Sequence, residues 1–204
     1  RDWSSDVCSS DLDSRGRQGI RESSEYYTQN LGAVLNAMSQ GLAFDELVSL
    51  ALESVRLSMP DSAANLFIRN ASDGALRLTA RHGLMDGNLD TILDERSNCA
   101  GRASLERRFI CLYRDTIRMQ SEALYRIMED NAFTRYRSYP LPAAGASMGV
   151  LEIFDNLPEM AESHRFLTML ATALGIATSM ANGLEEARRI QREMSTSYDE
   201  TLEA

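Results

Sequence analysis

The stretch from Phe133 to Phe154 limits the fold most. Two β-prone runs, Phe133–Leu141 and Ser147–Phe154, flank Ala143-Ala144-Gly145. Gly is cheap in such a turn because it takes positive φ without a Cβ penalty, so the stretch predicts a tight β-hairpin. A helix-patterned segment without internal Pro follows at once, from Ala161 to Met194. A hairpin feeding a long helix must bury one sheet face under helices, which points to an antiparallel α+β fold.

The upstream pattern agrees. Glu22–Gln40 carries Tyr27, Leu31, Val34, Leu35 and Met38 at spacings of three and four, an amphipathic helix that Gly41 ends. Phe44–Met59 is a second helix, with Asp45 and Glu46 in its first turn, where the helix dipole favours acids, and Pro60 after it. Ala63–Arg69 and Ala75–His82 read as strands joined through Asn70–Gly74, a turn rich in Asn, Asp and Gly. Gly83–Ser97 reads as irregular, Ala100–Arg107 as a short helix, Phe109–Tyr113 as a strand and Ser121–Asp130 as a helix before the closing hairpin.

That order, together with Asn65-Leu66-Phe67-Ile68 before Asp73-Gly74, the helix start Cys99-Ala100-Gly101-Arg102-Ala103, and Gly149–Phe154, resembles GAF domains. These are small-molecule sensor and dimerisation modules of signalling proteins. The resemblance covers roughly Leu42–Asn182 and implies a GAF-like antiparallel sheet with flanking helices and long terminal helices. The implied layout is an N-terminal helix over residues 13–41, a sensor domain over 42–182 and a helical linker over 183–204. Residues 1–12 have no helical or strand period and read as translated sequencing adapter, so they are excluded from the fold. On this reading the chain is cut from a longer protein.

Composition removes several function classes. All 21 basic residues are Arg, and the pI is near 4.8 without a basic stripe, which argues against nucleic-acid binding. Beyond Cys8 in the excluded segment, Cys99 and Cys111 do not form a disulfide framework, so a reducing cytoplasm is the expected location. Phe166–Leu184 has no charge over 19 positions, the crude length of a membrane span. Three Thr, one Ser, one Asn and two Gly dilute it, however, and a buried helix with a dimer seam explains it better than a membrane span does.

No metal-ligand cluster, nucleophile–base pair, phosphate-cradling glycine loop or paired-carboxylate site is legible. The expectation is a fragment with no catalytic residue, no metal and no cofactor. His82 and His164 are isolated, and a metal site needs convergent ligands. Cys99 lies at a helix start, where the dipole lowers a thiol pKa. Its position resembles that of one redox Cys in the GAF-fold reductases of free methionine sulfoxide, but Ser121–Tyr139 lacks the second Cys those enzymes need. The constellation of cyclic-nucleotide-binding GAF domains requires a Lys, which this chain does not have. A GAF-like fold would place a small-molecule pocket over the sheet, beneath the 113–135 connection. Cys99, Arg102, Tyr113, Arg135 and Tyr139 are the candidate lining residues.

The end of the chain bears on output. Leu167, Leu170, Leu174, Ala177, Ala181, Leu184, Ala187, Ile190 and Met194 recur at helical spacing, close to the period of a seam between two chains. A homodimer through the terminal helices is therefore expected, with no membrane or nucleic-acid partner. Tyr198–Ala204 resembles the lead-in to an HD-GYP domain, the metal-dependent phosphodiesterase of cyclic-di-GMP signalling, and Ala103–Arg108 resembles GAF domains of that subgroup. The resemblance implies a sensor controlling such an effector. The alternatives are a sensor of a histidine kinase or diguanylate cyclase, a stand-alone GAF-fold thiol redox enzyme, or a dimerisation module that binds nothing.

Overall fold

A computed structural model describes residues 25–84, 92–93, 96, 98–143, 145–157 and 161–203, with side chains described as far as residue 195. The expectation for residues 1–12 and the start of the N-terminal helix lie outside the described residues. Helix α1 covers 25–39. It is followed by α2 (Phe44–Ser58), β1 (Ala63–Arg69), β2 (Leu76–His82), β3 (Ile92–Leu93), α3 (Cys99–Glu106) and β4 (Ile110–Tyr113). Then come α4 (Arg114–Ile117), α5 (Glu122–Asp130), β5 (Arg135–Ala143), β6 (Ala146–Asp155) and α6 (Ala161–Glu203). The strands form one antiparallel sheet in the order β3-β2-β1-β6-β5-β4.

Local chemistry explains the element ends. Asn70 Oδ1 accepts from the Ser72 amide, Asp73 Oδ1 accepts from the Ala75 amide, and Gly74 takes φ +72°, which closes the β1–β2 turn. Ser121 caps α5 by accepting from the Leu124 amide at 3.2 Å. Two elements differ from the sequence reading. The stretch expected to be irregular contributes the two-residue edge strand β3 beside β2, and the 113–135 connection opens with the single turn α4. Neither is long enough to leave a periodic signal.

Alternation divides the hairpin residues between two layers. On one face, Leu66, Tyr139, Leu141, Leu151 and Ile153 meet α1, α2 and the first half of α6, sharing a core with Leu31, Val34, Val55, Leu167, Leu170 and Leu174. On the other, Phe67, Tyr136, Val150 and Phe154 meet α3, α4 and α5 through Ala100, Ala103, Ile117 and Met128. Helix α6 crosses β5 at Gly175, where a Cβ would stand 2.3 Å from the Pro142 carbonyl oxygen. The apolar stretch noted in the sequence is therefore split by direction. Phe166, Leu167, Leu170 and Leu174 are buried on the sheet, while Met169, Ile176, Met180 and Leu184 are exposed. By length and composition alone α6 could cross a membrane, but 44% of its most apolar window is already buried inside the domain.

Candidate functional site

A cavity of about 70 Å³ lies between the sheet and the helices of the 113–135 connection. Phe67, Phe154, Leu124 and Ile127 supply apolar walls, and Asn98, Cys99, Ser121, Tyr136 and Glu152 supply polar groups. Helix α3 presents Cys99 because Asn98 caps it, its Oδ1 accepting from the Gly101 amide at 2.6 Å. Strands β5 and β6 present Tyr136 and Glu152, and strand alternation puts Asn65 of β1 on the same face.

Glu152 is the chemical centre of this cavity. Its Oε1 accepts from the Tyr136 hydroxyl at 2.7 Å and its Oε2 from Asn65 Nδ2 at 3.0 Å. Burial pushes the Glu152 carboxyl up, against the two hydrogen bonds that pull it down. The Tyr136 phenol lies well above its ordinary value, through burial and through the adjacent Glu152. Asn65 Oδ1 is buried with no hydrogen-bond partner.

On the opposite face a charged cluster joins the sheet to the helices. Asp155 Oδ1 accepts from Arg135 Nε at 2.9 Å and Nη2 at 2.6 Å, while Asp155 Oδ2 accepts from Arg137 Nε at 2.9 Å. Arg137 also donates to Ser163 Oγ at 3.2 Å, in the first turn of α6. The Tyr139 hydroxyl lies 3.4 Å from Arg137 Nη1 and 3.2 Å from His164 Nδ1. Burial pushes the Tyr139 phenol up to about 12, against the pull of Arg137. In α1, burial likewise raises the Tyr27 phenol, with Arg137 opposing it, and the ring stacks on Phe166 at 5.1 Å. The cluster thus ties α6 to the central hairpin, and α1 stacks on α6 beside it.

Of the five residues expected to line a pocket, the structure places Cys99 in the cavity wall. Its thiol is pushed up by burial, with Arg102 opposing and Glu152 adding, so desolvation overrides the lowering expected from the helix start. Arg102 stands outside, in a shallow depression with Cys99 and Phe109. Tyr113 is half exposed at the end of β4. Arg135 and Tyr139 do not line the cavity. They occupy odd positions of β5 and face the α2–α6 layer, while even positions such as Tyr136 face the cavity. Sequence reasoning missed Glu152, Tyr136 and Asn65. The available signal was Glu152 alone within the apolar run Val150–Phe154, which marks a buried charge.

These features can be set beside solved structures. No family model matches the chain, and no curated protein matches it in sequence. Solved structures do match. The GAF domain of a phosphoenolpyruvate-protein phosphotransferase from Coxiella burnetii superposes with a TM-score of 0.64 at 18% identity, covering 80% of this chain and 98% of that one. The fold is that of a GAF domain. A GAF domain of a two-component sensor histidine kinase from Bacillus halodurans matches at TM-score 0.58 and 14% identity, over 70% of this chain and 98% of that one. Free methionine-R-sulfoxide reductase from Neisseria meningitidis, solved with its substrate, shares the GAF-like fold at TM-score 0.61 and 13% identity, over 78% of this chain and 91% of that one.

Proposed function

We propose that this chain is the regulatory sensor domain of a cytoplasmic signal-transduction protein, homodimeric through its terminal helices, which binds a small molecule and controls an HD-GYP phosphodiesterase. The observation that carries the reading is the continuity of α6. Its first turn hydrogen-bonds the buried Arg137–Asp155 cluster, its first half covers the sheet, and the whole is one unbroken helix of 43 residues, about 65 Å long. A shift of the hairpin is thereby delivered to one rigid element. Met169, Ile176, Met180, Leu184, Ile190 and Met194 form an exposed apolar stripe about a third of a turn from the residues buried on the sheet. Such a stripe suits a parallel partner helix from a second copy.

The choice of effector rests on the likeness of Tyr198–Ala204 to the lead-in of an HD-GYP domain and of Ala103–Arg108 and Gly149–Phe154 to GAF domains that precede such domains. A histidine kinase is the second reading, favoured by the match to a GAF domain of a sensor histidine kinase. The test is a pair of fusions to an HD-GYP effector, one carrying residues 13–204 and one carrying 161–204 alone. Different rates of cyclic-di-GMP hydrolysis are expected, and equal rates contradict regulation by the domain. The same pair on a kinase core, read by autophosphorylation, tests the second reading.

A further inference from the structure

Glu152 is a buried carboxylate whose recorded partners are both neutral. A carboxylate offers about four lone-pair sites, and here Tyr136 and Asn65 fill two of them. Among the described residues no cation pairs with it. The nearest unused group of the cluster is also an acceptor, the buried and partnerless Oδ1 of the same Asn65 side chain. The titratable groups facing the carboxylate are the Tyr136 phenol from β5 and the Cys99 thiol from α3, neither of which supplies positive charge. An unpaired charge in such surroundings is costly, and a cation with several donors would satisfy it.

The cavity sets the size of that cation. At about 70 Å³ it is roughly half the volume of a cavity that holds benzene, which leaves room for about three or four non-hydrogen atoms. Beside the carboxylate its walls carry an apolar side formed by Phe67, Leu93, Leu124, Ile127 and Phe154. We propose that the cavity binds a protonated primary amine on a short apolar stem, with the ammonium donating to Glu152 and the stem lying against Phe67, Leu124 and Phe154. A primary ammonium is a multiple donor, and the carboxylate and the Tyr136 phenol oxygen, both in the cavity wall, can accept from it. The inference rests on the sensor reading in taking this cavity as the ligand site, but its test contains no effector. Loss of coupling in the fusions would leave it standing, and failure to bind an amine would leave the coupling untouched.

The experiment titrates the whole chain with n-propylammonium chloride by calorimetry and thermal melting, against n-propanol and potassium chloride at matched concentration. Saturable binding of the ammonium alone is expected. Glu152→Gln, which keeps one acceptor oxygen for Tyr136 and offers its NH2 to Asn65 Oδ1 once the Asn65 amide turns over, should weaken it at least tenfold. Leu124→Trp fills the cavity from α5, leaves the carboxylate in place, and should abolish it. The proposal is overturned by propanol binding as tightly as the ammonium, by unchanged binding in either variant, or by no saturation up to about 100 mM.

Discussion

Gly175 offers a sharp test of how α6 is held to the sheet. A Cβ at this position would lie 2.3 Å from the Pro142 oxygen, 2.8 Å from the Leu141 carbonyl carbon and 2.9 Å from the Pro142 nitrogen. All three are backbone atoms, which cannot swing aside as a side-chain end could. Gly175→Ala must therefore move the helix off β5 by at least about 0.7 Å. Overpacking of this kind costs about 1–3 kcal/mol, and the rigid obstacle argues for the upper end. Against it stands the helix preference for Ala over Gly, about 1 kcal/mol. The net expectation is destabilisation by about 1–2 kcal/mol. Gly183, two turns further on in the same helix, meets nothing within 4 Å, so Gly183→Ala should gain nearly the full propensity term. Urea unfolding followed by circular dichroism reads both. With a slope of about 2 kcal/mol/M, the two midpoints should separate by about 1 M or more, the Gly175 variant lying below wild type and the Gly183 variant above. If Gly175→Ala stabilises as Gly183→Ala does, the close crossing of α6 over β5 is wrong.

Three further outcomes are expected. Leu184→Glu with Ile190→Glu places charges in the exposed stripe and should give monomers by ultracentrifugation; a wild-type chain already monomeric at tens of micromolar would remove the seam. Because burial raises the folded-state pKa of Glu152 above its ordinary 4.5, the folded protein holds that proton more tightly than the unfolded chain, and stability is lost as pH rises through that window. Glu152→Gln removes the loss, so its stability relative to wild type should climb from pH 4.5 upward, and a flat difference would mean the carboxylate is not held up by burial. Deleting residues 1–12 should leave the melting temperature unchanged, and a clear drop would make them part of the fold.

Elements with a strong period were legible in the sequence, and side-chain direction was not. The bounds of β1 follow from the run Ala63–Arg69 between Pro60-Asp61-Ser62 and the Asn70–Gly74 turn, and α2 and α6 begin where their apolar periods begin. For β5, hydropathy gives no phase, since Arg135, Arg137 and Tyr139 are polar yet face the helices. Asp155, an acid at the end of β6, pairs with both guanidiniums and orients them there, a long-range pairing that local pattern does not carry. The same blindness hid the candidate site, because Tyr136 and Glu152 are neighbours across strands and not along the chain. In α6 the sheet takes the first half of the apolar repeat, as a buried helix would, and Met169, Ile176, Met180 and Leu184 define a second, exposed stripe that the repeat alone does not separate.

The central claim is that hairpin and output are coupled through a rigid α6. Fusing the chain to an HD-GYP effector and inserting one, two, three and four residues after Arg192 tests it most directly. Each insertion turns the following helix by about 100°, so one to three residues misplace the output face and four return it to within about 40°. A tenfold change in output needs only about 1.4 kcal/mol of difference between helix arrangements, a modest demand on a few buried contacts. Hydrolysis of cyclic-di-GMP should fall across the first insertions and recover near four. Activity that stays flat through the series would contradict the coupling and leave the domain as a tether.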